Sequence, residues 1–180
     1  MRRRKDAVFD YARPYDIMIG FWAGIAIIYD PKGNYQGSMT SHLATYWEKP
    51  FTRLHFRQAQ QSEGKTGLER FALTKPVSNV VILDYDFHVK DKHGWGKSGG
   101  VHITGTGTRP DHYHFLLKSE DGQWYNNHHF MGPNERHVLG PFVEAGGDGE
   151  IASVVAQTFT RLSYDVPKEF RYPMGAKPKR

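Results

Sequence analysis

The sequence predicts an all-β protein, a single antiparallel up-and-down barrel of about eight to ten strands behind a short N-terminal helix or turn. Three observations predict it. Short runs rich in β-branched and aromatic residues recur along the whole chain. Clusters of Gly, Pro, Asn and Asp punctuate them at hairpin spacing. Long helical periodicity is scarce. Neither a linker nor an internal repeat interrupts the pattern, so residues 1–180 read as one domain with flexible basic ends at about 1–8 and 173–180.

Taken in order, residues 11–19 form a short helix or turn leading into a first strand at 21–29. Asp30-Pro31-Lys32-Gly33 is a turn by residue type. Strand-like runs follow at 34–47, 51–61, 67–73, 79–90 and 99–108. Two hairpins cover 101–130, a further strand lies near 136–143, and a glycine-rich loop at 146–149 precedes a last strand at 151–165. A helix at 150–157 competes with the start of that last strand.

The stretch 101–130 carries the strongest chemical signal. A tight Arg109-Pro110 turn sets Gly107 opposite His112 and Gly105 opposite His114. A second turn at 120–123 sets His129 opposite His114 and Asn127 opposite Leu116. One face then carries Ile103, Gly105, Gly107, His112, His114, Leu116, Tyr125, Asn127 and His129, because side chains alternate with period two. Glycines beside imidazoles describe missing volume, and hence a pocket. The other face carries Tyr113, Phe115, Leu117 and Trp124, and if these point inward the histidines point outward. The glycines favour the histidine face as the interior, since glycine is a poor exterior strand residue.

Composition bounds the rest. With no Cys there are no disulfides, thiol nucleophiles or thiolate zinc sites. No apolar run approaches the ~20 residues of a membrane helix, and the N-terminus lacks the apolar stretch of a secretory signal. The cytoplasm is the expected compartment. The formal charge of +5 resides in Arg2, Arg3, Arg4, Lys5, Lys177, Lys179 and Arg180; without those seven the remainder is near −2. That distribution argues against nucleic-acid binding, which calls for a basic patch on the fold.

Gly20-Phe21-Trp22 opens the first strand, and Arg161 lies in the last, within Thr158-Phe159-Thr160-Arg161-Leu162. This combination resembles the lipocalins and the wider calycin superfamily. The resemblance implies an up-and-down barrel in which Trp22 packs across the closed end beneath Arg161. Both residues would then be structural, joined by cation–π attraction.

Candidate chemistry centres on His112, His114, Tyr125 and His129 as acid or base, with Ile103, Gly105, Gly107, Leu116 and Asn127 as ligand contacts. Converging imidazoles can also hold a divalent ion, but no H-E-x-x-H or comparable motif is present and no metal or cofactor is expected. His102 and His128 read as surface residues, as do Asp84, Asp86 and His88. Glu135 reads as a surface partner for Arg136. No nucleophile elbow, phosphate loop or dinucleotide fingerprint is found. The expected function is binding of a small, largely apolar or aromatic molecule in the barrel cavity, against a His/Tyr/Asn polar end. The alternative is a cofactor-independent isomerase, cyclase or lyase using His and Tyr there. The expected partner is that small molecule, with no nucleic acid or membrane; a homo-oligomer is compatible with the sequence.

Overall fold

A computed structural model describes residues 14–62, 80–98 and 100–171. Ten strands close into one antiparallel barrel: β1 (Gly20–Tyr29), β2 (Tyr35–Lys49), β3 (Arg53–Ser62), β4 (Val80–Lys90), β5 (His93–Ser98), β6 (Val101–Arg109), β7 (His112–Lys118), β8 (Gly122–Gly132), β9 (Glu135–Glu144) and β10 (Ile151–Ser163). Each pairs with its neighbour in sequence, and β1 closes on β10, so no sheet edge remains unpaired. A 3-10 helix, Asp16–Met18, precedes β1, and one turn of helix, α1 (Lys168–Arg171), follows β10. The region expected to choose between helix and strand at 150–157 is strand. The expected strand at 67–73 and the two basic ends lie outside the described residues. No helix among the described residues is long and apolar enough to cross a membrane.

One strand, β5, is not expected from the sequence. His93-Gly94-Trp95-Gly96-Lys97-Ser98 lies between the expected strands at 79–90 and 99–108, and two of its six residues are glycine, which is poor in strands. The structure gives Gly94, and Gly105 of the neighbouring β6, a packing reason. A Cβ at Gly94 would stand 2.1 Å from the Phe87 ring. A Cβ at Gly105 would stand 2.7 Å from Phe87 Cζ and 2.8 Å from the Phe115 ring. Phe87 is fully buried. The bulk missing at Gly94 and Gly105 is filled by the protein's own aromatic rings.

The interior holds two apolar clusters. The larger surrounds Trp22, with Leu43, Leu54, Phe56, Phe87, Ile103, Phe115, Phe130 and Phe159. The smaller, toward the opposite end, joins Ala26, Ile28, Met39, Trp124, Phe142 and Val155. The Trp22 end is sealed from inside. Its indole N–H donates to Met18 O at 3.0 Å, and the Arg161 guanidinium carbon lies 4.2 Å from the indole centroid. Arg161 also donates to Ile17 O at 2.7 Å and Ile19 O at 2.5 Å, tying the 3-10 helix to the last strand. Burial pulls the Arg161 pKa down to about 10, still far above neutrality, so the group stays charged. Outside the wall, Phe170 of α1 packs on Phe21 of β1, with centroids 4.7 Å apart.

Two stability outcomes follow from this packing. Trp22→Ala removes a fully buried indole and the stacking surface of Arg161, and should cost about 3–5 kcal/mol in urea unfolding. Gly105→Ala should cost about 1–3 kcal/mol through overpacking against two buried rings. A glycine lining an open ligand pocket would instead accept the methyl group with no shift in the unfolding midpoint.

Candidate functional site

The β6–β7 hairpin decides which residues share the interior. Gly105 pairs with Phe115 and Gly107 with Tyr113, and an irregularity follows before Arg109 pairs with His112. The turn therefore differs by one residue from a tight Arg109-Pro110 turn. With period-two alternation, a one-residue shift exchanges the faces of everything that follows. Ile103, Gly105 and Gly107 stay inside with Val101, while Tyr113 and Phe115 are buried. His114 is exposed, and His112 and Leu116 share its outward face. The β7–β8 pairing differs from the expected one by two residues, which preserves faces: His112 meets His129, His114 meets Asn127, and Leu116 meets Tyr125.

The expected single face is thus two faces. His112, His114, Leu116, Tyr125, Asn127 and His129 do share a surface, but it is the outer wall of the barrel. His114 Nδ1 lies 2.5 Å from Asn127 Oδ1 there. Thr104, Thr106, His114, Leu116, Tyr125 and Asn127 border a shallow depression of about 310 Å³ on that wall. Asp86 and His88 face outward as expected, and Asp86 Oδ1 lies 2.7 Å from His55 Nδ1. His102 is exposed as expected.

Two residues read as surface groups are interior instead. Arg136 is 0% exposed, with its guanidinium carbon 4.7 Å from the Phe159 centroid and 5.0 Å from that of Trp22. Its expected partner Glu135 lies outside and contacts His137 Nε2 at 2.7 Å. His128 lies inside, its ring 4.8 Å from that of Phe115. The alternation of β9 carries the signal for Arg136, since Val138 and Phe142 share its parity and both are buried. In β8, Trp124 and Phe130 give the same signal for Asn126 and His128.

Together these side chains form a polar belt around one cavity within the larger apolar cluster. It comprises Gln58, Asn126, His128, Arg136 and Gln157, facing a cavity walled by Leu43, Phe56, Ile103, Phe115, Val138 and Phe159. Gln58 Nε2 donates to Ser41 Oγ at 2.7 Å and to Gln157 Oε1 at 3.2 Å. His128 Nδ1 has no hydrogen-bond partner among the described residues. The cavity is about 30 Å³, which accommodates about two waters. Polar groups placed this deep cost stability unless something satisfies them.

The belt is also electrostatically distinctive. Burial holds the His128 pKa well below 6.5, and the positive charge of Arg136 lowers it further. The imidazole is therefore neutral near pH 7, able to accept at one ring nitrogen and donate at the other. On the outer wall the opposite balance holds for Asp111, whose carboxyl is lowered chiefly by its hydrogen bond with His112.

A pH dependence of stability follows. In the unfolded chain His128 takes up a proton below about pH 6.5, whereas the folded barrel resists it. Stability should therefore fall by up to about 1.4 kcal/mol per pH unit below that point, until the folded group also titrates. Urea unfolding of the native protein and His128→Gln between pH 7 and pH 5 isolates this contribution. The variant should show the shallower decline.

No protein-family model matches the sequence, and no curated protein matches it. Solved structures do share the fold. An S-type phycobiliprotein lyase from Guillardia theta superposes with a TM-score of 0.61 at 11% identity, covering 86% of this chain and 92% of its own. A protein of unknown function of the DUF3598 family from Nostoc punctiforme gives a TM-score of 0.59 at 9% identity, covering 84% of this chain and 51% of its own. The fold is a calycin-like, closed antiparallel barrel of ten strands.

Proposed function

We propose that the barrel binds a small molecule with a largely apolar or aromatic body, whose polar group meets the belt of Arg136, His128, Asn126, Gln58 and Gln157. The observation that carries this reading is the fully buried cationic Arg136 beside a neutral histidine with an unpartnered ring nitrogen, both bordering one cavity. A core built only for stability gains from apolar groups at such positions. The positive charge selects an anionic ligand group, and the aromatic walls supply area for its body. An occupant larger than a few waters requires interior side chains to move aside. Met39, in the cluster toward the opposite end from Trp22, has the unbranched, adaptable side chain suited to that.

A second reading places acid–base chemistry in the same interior, as a cofactor-independent isomerase, cyclase or lyase. The neutral His128, with one ring nitrogen unpartnered, favours it, because a base must be deprotonated at working pH. The fold relationship to a phycobiliprotein lyase makes an enzyme on this scaffold reasonable, though a shared fold does not carry an activity.

Two fluorescent probes of similar shape test the binding reading, an anilinonaphthalene sulfonate and the uncharged phenylnaphthylamine. The native barrel should bind the anion saturably and with preference. Arg136→Met should weaken the anion by about 10- to 100-fold, as expected for a hydrogen bond to a charged group, and leave the neutral probe little changed. His114→Ala on the outer wall should alter neither. Failure of the anion to bind, or equal binding by native and Arg136→Met protein, would contradict the proposal.

A further inference from the structure

Three histidines stand side by side on the outer wall near the Trp22 end. His112 of β7 pairs with His129 of β8, which pairs with His137 of β9. The rings of His112 and His129 stack with centroids 3.9 Å apart. Asp111 brings one carboxylate oxygen within 2.8 Å of His112 Nδ1 and the other within 3.9 Å of His129 Nε2. One donor atom each from Asp111, His112 and His129 lies within 4.8 Å of the others, and all three residues remain partly exposed. The backbone holds them in place, because Phe130 N–H donates to Asp111 O at 2.9 Å.

We infer that Asp111, His112 and His129 form a binding site for a divalent transition-metal ion of the Zn²⁺ type on the outside of the barrel. Two imidazoles and a carboxylate suit such an ion, whereas Mg²⁺ and Ca²⁺ prefer oxygen ligands alone. The two histidines come from facing positions on hydrogen-bonded strands, so sheet geometry sets their spacing before any ion arrives. Three protein ligands leave a coordination position for water or a further ligand. His137, next in the same row and held by Glu135, adjoins the cluster.

A cation already occupies part of this space. Arg109 Nη2 lies 3.0 Å from His112 Nδ1, and Arg109 Nε lies 3.6 Å from Asp111 Oδ1. The Arg109 side chain is 65% exposed, and an ion pair at such a site contributes little. It can swing into solvent when a metal takes its place. Arg109 and the ion therefore compete for the same ring and carboxylate, which gives the site a signature that chance histidine binding lacks. The inference is independent of what the interior binds.

Calorimetric titration of chelator-treated full chain with Zn²⁺ alone tests it. One ion per chain should bind saturably. His129→Ala and Asp111→Asn should each weaken it by at least about 10-fold, and Arg109→Ala should tighten it. His55→Ala, in the separate group of Glu48, His55 and Asp86, should leave that affinity unchanged. Circular dichroism of each variant establishes that the barrel is intact. Absence of binding, binding that survives both His129→Ala and Asp111→Asn, or weakening by Arg109→Ala would overturn the inference.

Discussion

A closed barrel satisfies its sheet hydrogen bonds internally and is left with two ends to manage. One is settled by Trp22. Its ring is fully buried, its N–H is consumed by Met18 O, and its face receives Arg161. Arg161 in turn satisfies carbonyls of the segment that delivers Trp22, across 144 residues of sequence at Ile17. The first and last parts of the barrel are therefore tied by one guanidinium. Phe130 packs edge-on against the indole, and Arg136 lies near the same ring. Arg136 thereby joins the polar belt to this seal.

The wall above the seal is a single layer of backbone, and β7 and β8 show what that permits. Successive residues alternate between exterior and interior chemistry: His114 lies outside and Phe115 inside, Asn127 outside and His128 inside. The two environments are not electrically isolated. His114 is among the groups whose charge lowers the His128 pKa. Charge at His114 is thus within electrostatic reach of His128 on the inner face.

Much of the architecture was legible in the sequence because it depends on period and punctuation. The barrel class, the antiparallel order, the position of Trp22 and the facing of Arg161 toward it all follow from local pattern plus resemblance. Residue-level orientation in the richest hairpin did not, because it depends on one residue in the turn after Gly107. The glycines of β6 do mark missing bulk, but Phe87, Phe115 and Tyr113 fill it, so the space beside them is not open to a ligand. Arg136 was obscured for a different reason. A charged residue beside Glu135 suggests a surface pair, and only the parity of Val138 and Phe142 reveals that it points inward. Strand β5 was hidden by the same glycines that make its packing possible.

Phe87 has a consequence for how this chain can change over time. Its ring occupies the volume that side chains at both Gly94 and Gly105 would need. A methyl group at either position overlaps the ring unless the ring shifts, and the Phe115 ring, 2.8 Å from a Cβ at Gly105, and the His88 carbonyl oxygen, 2.8 Å from one at Gly94, stand in the way as well. Phe87, Gly94 and Gly105 are therefore constrained together, and Gly105 answers to Phe115 as well. Trading the Phe87 ring for a smaller side chain does not by itself make room for one at Gly105, because the Phe115 ring remains against it.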